Sequence, residues 1–278
     1  MPKICIVGDI HGEIDLFVRK VKQVEIDHGK IDLVLQVGDF GVFPIKENID
    51  EKTISHGGSK DFEKYYYDAD NNYYYDTGNK FIIPWSTYII EGNHDDHKFL
   101  RTINTNQEIF KNLRFIKNGE VAEIQLGYNT LRVGALGKVF SPVSYKMPID
   151  EYRACKGKPM SHIHKSEVDG LINNDLGMDI LLIHDFPVSG MSDEVKNSHR
   201  MWPKEDKEFL DGLTGIIEEQ RPEMVIGGHY HWPFEISPPP MMVRALAKIN
   251  FEKSILLFDM FFSEWDGWIY DYEGMKWI

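Results

Sequence analysis

The sequence predicts an α/β fold, and three observations carry that reading. Five short apolar runs (residues 4–7, 33–37, 88–90, 180–183 and 224–226) lack polar alternation; each leads into glycine or polar residues; and helical stretches with one apolar face lie between some of them. A short apolar run bounded by turn signals reads as a strand buried on both faces. Residues at the carboxyl ends of such strands line the crevice where open α/β sheets bind ligands.

The elements follow in order. The first run enters Gly8-Asp9-Ile10-His11-Gly12, and Ile14, Phe17, Val18 and Val21 then mark one face of a helix over about 13–26. The second enters Gly38-Asp39-Phe40-Gly41, the third Glu91-Gly92-Asn93-His94-Asp95. Asp96 and His97 are placed on a helix that begins after Asn93, away from the ligands. Residues 121–136 alternate as a hairpin turning at Gly127-Tyr128-Asn129. The fourth run enters His184-Asp185, and Phe209, Leu210, Leu213, Ile216 and Ile217 mark a helix ending near Arg221-Pro222. The fifth enters Gly227-Gly228-His229-Tyr230-His231, and beyond Pro238 the chain is again strand-rich, clearest over 255–258. With no internal repeat and no flexible linker, residues 1–278 are expected to form a single domain. Two polar insertions interrupt it, at about 43–80 and 140–174.

The chain has 278 residues and a net charge of −13, with 42% hydrophobic and 27% charged residues, a globular composition. That charge argues against a broad surface for duplex nucleic acid and against docking to an anionic membrane. Cys5 and Cys155 are too few for a disulfide scaffold or a thiolate metal cage. An apolar run starts almost at Met1, and no apolar stretch approaches ~18 residues. The expectation is a soluble, cytoplasmic protein that does not enter a membrane.

The chemistry lies at the strand ends. Asp9 and His11 sit two apart on a turn; Asp39 adds a carboxylate, Asn93 an amide oxygen, and His184, His229 and His231 three imidazoles. Oxygen and imidazole donors without thiolate suit Mn²⁺, Fe²⁺ or Zn²⁺, with Mn²⁺ favoured. Seven donors are too many for one ion but suit two divalent ions, provided a carboxylate bridges them. Two ions about 3.5–4 Å apart clamp the attacking and leaving oxygens of a phosphoryl displacement.

Gly-Asp-x-His, Gly-Asp, Gly-Asn-His-Asp, a lone His after a strand and Gly-His-x-His, in that order from Ile4 to about Phe234, resemble the calcineurin-like metallophosphoesterases. The resemblance implies a four-layer α/β/β/α sandwich, two mixed sheets flanked by helices. It implies one metal held by Asp9, His11 and His231 and another by Asn93, His184 and His229, with Asp39 bridging. It gives His94 a catalytic role, stabilising the phosphoryl group or protonating the leaving oxygen, with Asp95 orienting or acidifying that imidazole. The nucleophile it implies is a metal-bridging hydroxide. Protein serine/threonine phosphatases of this superfamily continue the second motif with an arginine, absent from Gly38-Asp39-Phe40-Gly41-Val42-Phe43-Pro44. The layout is closer to RNA lariat debranching enzymes and small bacterial relatives, including the turn His184-Asp185-Phe186-Pro187. Those often carry Cys where Asp9 stands, so Asp9 favours binding of both metals.

The reading is a dimetal-dependent phosphoesterase that prefers a phosphodiester, with a nucleotide or single-stranded or branched RNA as the substrate class. The alternatives are a phosphomonoesterase acting on a phosphoprotein or small metabolite, and a catalytically silent scaffold of the same fold. Outside the motifs, His162 and His164 are read as a solvated pair that either leans over the phosphate or stays at the surface. Lys138 is a candidate phosphate contact. The tyrosine triplets at 65–67 and 73–75 either stack on nucleobases or form a surface hairpin or dimer contact. Cys5 is expected to be inert in the first strand.

Overall fold

Strands buried on both faces must still divide their side chains between two neighbours, and the apolar runs do so residue by residue. The structure is a computed structural model that describes residues 1–44, 48–49, 54, 83–185, 207–231, 234–236, 242–247, 249, 252–263, 267–270 and 275–278. The first sheet contains β1 (Lys3–Val7), β2 (Leu33–Gln36), β3 (Thr87–Ile89), β4 (Glu108–Phe110), β5 (Leu113–Phe115), β12 (Ile255–Ser263), β13 (Gly267–Tyr270) and β14 (Lys276–Trp277). Its order is β13-β12-β1-β2-β3-β5-β4, with β14 also on β12. The second sheet contains β6 (Val121–Leu126), β7 (Asn129–Leu136), β8 (Ile180–Ile183), β9 (Met224–Gly227), β10 (Phe234–Ile236) and β11 (Met242–Ala245) in the order β10-β11-β9-β8-β7-β6. Both are mixed: β1, β2, β3 and β5 run parallel, as do β7, β8, β9 and β11, with antiparallel strands at the flanks.

Ile4, Ile6, Leu33 and Leu35 of the first sheet meet Leu131, Val133, Ile180, Leu182, Met224 and Ile226 of the second in one buried layer. Their neighbours Cys5, Val7 and Val34 face the other way, onto Ile14, Phe17, Val21 and Val24 of α1 (Ile14–His28). Leu181, Ile183 and Val225 turn outward onto Val168 and Leu171 of α5 (Lys165–Ile172) and Phe209, Leu213 and Ile216 of α6 (Lys207–Gln220). The result is the expected helix–sheet–sheet–helix sandwich. Cys5 is buried in β1, and burial pushes its thiol pKa well up, in keeping with an inert side chain.

The hairpin turns where the sequence places it, and α1 runs two residues further than predicted, stopping at Gly29, which has φ 92°. A short α2 (His97–Leu100) starts after the Asn93 turn, capped by Asp96, whose side chain accepts from Phe99 N at 3.1 Å. Segment 140–174 is polar in composition but is no solvated excursion. It holds α3 (Pro142–Tyr145), α4 (Ile149–Ala154), a 3₁₀ turn (Lys158–Ser161) and α5. Phe140, Tyr145, Ile163, Val168 and Leu171 are buried with α6, and Phe140 stacks on Phe209 at 5.0 Å. Most of segment 43–80, including both tyrosine triplets, lies outside the described residues. Among the described residues no helix is long and apolar enough to cross a membrane.

Candidate metal centre

The loops leaving β1, β2, β3, β8 and β9 converge at one edge, so the first sheet supplies Asp9, His11, Asp39 and Asn93 and the second His184, His229 and His231. Donor atoms form two groups, Asp9/His11/Asp39/His231 and Asp39/His184/His229, that share Asp39. In the first, Nε2 of His231 lies 2.9 Å from both Asp9 Oδ2 and His11 Nε2. Donors around one ion at about 2.0–2.2 Å stand about 3 Å apart, so this spacing fits a shared cation. In the second, His184 Nε2 lies 3.1 Å from Asn93 Oδ1 and 3.4 Å from Asp39 Oδ2.

Asp39 joins the groups. Its Oδ1 accepts the His94 backbone N–H at 2.6 Å. Its Oδ2 stands 3.7 Å from His11 Nε2 and 3.4 Å from His184 Nε2, and accepts no hydrogen bond among the described residues. A buried carboxylate oxygen left this way is costly, and a cation on either side would satisfy it. The residues present therefore fit a pair of divalent ions.

Backbone geometry adds a second mark. His11, Asp39, His229 and His231 have φ of 51°, 54°, 72° and 57°, in the left-handed region. Each such residue costs about 1–2 kcal/mol, and strain of this kind collects at functional sites. Gly92 has a different role: a Cβ there would overlap Asp39 N and Oδ1, so only glycine lets the Asn93 turn lie against Asp39.

The charges follow from burial and proximity. Burial works to raise the pKa of Asp39, but His184, His11 and His94 overcome it and hold the carboxyl well below its usual range. Asp9 is lowered likewise, against burial, mainly by His231 and His184. Burial works to lower the pKa of His184, yet Asp39 and Asp9 raise it to about 10. Burial lowers that of His229. The Nδ1 of His184 lies 2.8 Å from the Val37 carbonyl, the kind of outer contact that would fix an imidazole for ligation through Nε2.

His94 is half-buried, its ring 5.4 Å from the His11 ring. It lines a cavity of about 620 Å³ with Phe43, Asn48, Lys158, Met160 and His162. Asp95 accepts from three loop amides, Gly41 N, Val42 N and Gly92 N, each at 2.8 Å. Burial, with the nearby Asp39 charge, raises its pKa to about 6.

Two residues outside the candidate ligand set differ from their sequence reading. Lys138 is not an open phosphate contact: it is buried, 2.6 Å from Glu167, 3.5 Å from Glu91 and 3.0 Å from Tyr152 OH. His164 is not at the surface: it is buried and caps α5, with its ring against Ser166 and the Met147 carbonyl. His162 bonds Ser144 Oγ at 2.8 Å and borders the His94 cavity. Sequence reasoning passed over Glu91, whose signal was a charged residue directly after an apolar run. It also gave no role to Asp185, which accepts from Phe140 N and Tyr230 OH and ties together three loops of the second sheet.

At 24% identity over 246 residues the chain is similar to a lariat debranching enzyme of Arabidopsis thaliana, covering 84% of this chain and 55% of that protein. It thus spans about half the length of that relative. Among solved structures it superposes on GAP50, the anchor in the inner membrane complex of Plasmodium, with a TM-score of 0.51 at 12% identity, covering 100% of this chain and 84% of the other. It also superposes on TT1561 of Thermus thermophilus with a TM-score of 0.50 at 10% identity, covering 90% of each chain. At such identities these two show the fold alone. The model of the calcineurin-like phosphoesterases matches residues 2–233, and the chain belongs to that family of phosphoesterase hydrolases.

Proposed function

We propose that the chain hydrolyses a phosphodiester of nucleotide or RNA type, using two divalent ions, Mn²⁺ being the preferred pair. The observation that carries this is Asp39 Oδ2, buried between two imidazole nitrogens and accepting no hydrogen bond among the described residues. Asp9, His11 and His231 would hold one ion, Asn93, His184 and His229 the other, with Asp39 shared. When bound, the pair supplies a water acidified toward neutral pH and positive charge for the phosphate oxygens.

The chain's own residues do the rest. His94, tethered through its backbone to Asp39, presents its ring at the cavity and donates the proton to the leaving oxygen. Asp95 acts as a positioning residue, holding the Gly41–Val42 and Gly92 backbones together. Three features support a diester over a monoester. The position that matches the phosphatases' arginine, four residues after Asp39, is Phe43, buried and lining the His94 cavity, so no arginine arm reaches the phosphate from there. The cavity beside His94 has room for a second ester group. The similar plant protein is a lariat debranching enzyme. The full ligand set and His94 argue against a silent scaffold.

Bis(p-nitrophenyl) phosphate hydrolysis should require added Mn²⁺ and disappear in Asp39→Ala, with p-nitrophenyl phosphate turned over more slowly. Activity that survives rigorous metal removal would overturn the mechanism, and a monoester-only profile would overturn the substrate class.

A further inference from the structure

The candidate second metal site takes Asp39 and Asn93 from one sheet and His184 and His229 from the other, so its geometry depends on how the sheets are spaced at their loop edge. That spacing is set beside it. Gly137, just past β7, lies so close to Glu91 that a Cβ would overlap the Glu91 carbonyl oxygen, and Lys138 N donates to the same oxygen at 2.8 Å. The side chains repeat the link: Lys138 Nζ is shared by Glu91, Glu167 and Tyr152 OH. Glu91 Oε1 in turn lies 2.5 Å from His97 Nδ1, and His97 Nε2 lies 3.3 Å from the Asn93 carbonyl. At the other end, Glu167 Oε2 accepts the His164 N–H at 2.8 Å, and Tyr152 OH donates to the His162 carbonyl at 2.7 Å.

We infer that the chain Glu167–Lys138–Glu91–His97 is a positioning device for the second metal site, holding the Asn93 turn against His184 and tying it to segment 140–174. The inference rests on the dimetal reading above. Stability is a poor reason for such a network, because a buried ion pair contributes little over well-packed apolar residues. What apolar residues cannot supply is direction: His97 reaches the Asn93 carbonyl only while Glu91 holds its other nitrogen. Lys138 has three N–H donors and three partners, so the lysine fixes both glutamates at once. Burial would raise the pKa of Glu91, but Lys138 and His97 hold it below its usual range, and Lys138 stays charged despite burial.

The test is Mn²⁺ binding to the metal-free full chain, followed by calorimetry and by electron paramagnetic resonance, for wild type, Glu91→Gln and His97→Ala. In the variants one of the two binding steps, the one at Asn93, His184 and His229, should weaken about 10–100-fold, the loss usual for partners that orient metal ligands. The other step, at Asp9, His11 and His231, should keep its affinity. At two equivalents the wild type should show a spin-coupled pair and the variants a mononuclear signal. Should Glu91→Gln fail to fold, His97→Ala carries the test, since that ring is partly exposed and its removal leaves Glu91 paired with Lys138. Equal weakening of both steps would assign the network a purely structural role, and unchanged isotherms in folded variants would remove it from the site; either overturns the inference. A wild-type isotherm without two steps would overturn the dimetal reading and the inference with it.

Discussion

The proton on His184 gives the most demanding test of the centre. Its Nδ1 lies 2.8 Å from the Val37 carbonyl, while Nε2 faces Asn93 Oδ1 at 3.1 Å and Asp39 Oδ2 at 3.4 Å. A neutral imidazole has one N–H to offer and here meets acceptors on both nitrogens, so without a metal the ring needs a second proton. Burial opposes that charge, but Asp39 and Asp9 outweigh it and bring the pKa to about 10. At about pH 8 such a ring is ~99% protonated, against ~3% for one of ordinary pKa near 6.5. Imidazole ¹⁵N spectra of the metal-free protein should therefore show both ring nitrogens of His184 protonated at that pH. Linkage gives a second readout. The folded pKa lies above the unfolded one, so this stabilisation is fully present below about pH 6.5 and is lost as pH rises toward 10. The slope cannot exceed ~1.4 kcal/mol per pH unit, which gives a loss of about 2 kcal/mol between about pH 7 and 8.5. Asp95, raised to about 6, has ionised below that window, and the Cys5 thiol, shifted up by burial, matters only above it. A ring neutral at about pH 8, with urea midpoints flat across the window, would refute the reasoning.

The remaining predictions follow from single contacts. Gly92→Ala should drive the Asn93 turn off Asp39, cutting turnover about 100-fold and lowering ion affinity, at an overpacking cost of about 1–3 kcal/mol in a urea melt. Unchanged kinetics would show that the close approach is not required. His94→Gln should keep both ions but lose ~10²–10⁴-fold in turnover; loss of an ion as well, seen by metal analysis, would make His94 a ligand or structural support. Phe140→Ala should destabilise the fold by about 3–5 kcal/mol, because the ring is buried against Phe209 and Tyr145. A loss below about 1 kcal/mol would mean that segment 140–174 is peripheral to the outer core.

How much of this was legible in the sequence depends on the range of the forces involved. β1, β2, β8 and β9 declared themselves because a strand sandwiched between a helix layer and a second sheet must be apolar along most of its length. α1 and α6 declared themselves through about two to three turns of one-sided burial. β4 and β5 did not, since three-residue strands of mixed polarity carry no period. Segment 140–174 was misjudged for a related reason. Its helices span 4, 6 and 8 residues, too short for a helical repeat, so its buried residues looked scattered among charges. His164 had a usable signal that went unread: Glu167 three residues on completes a capping box, with histidine in the place usually taken by Ser or Thr.

The residues of the candidate metal centre were legible because each follows a strand closely and needs no knowledge of distant partners. Lys138 was not, because its meaning lies 47 and 29 residues away in Glu91 and Glu167. That distinction bears on how a chain with a net charge of −13 can take an anionic substrate. A lysine near the strand ends suggested a fixed positive contact, yet that charge is already held by two carboxylates. The position four residues after Asp39, where an arginine would serve, is the buried Phe43. Asp9, Asp39 and Glu91, all buried and held ionised, leave the edge a poor place for phosphate by itself. On the dimetal reading proposed above, attraction for the substrate would come with the ions, and affinity for phosphate should rise and fall with metal occupancy rather than with the charge of the surrounding surface. On the inference above, the buried lysine would reach the reaction through the position of Asn93, by way of Glu91 and His97, and not by touching the phosphate.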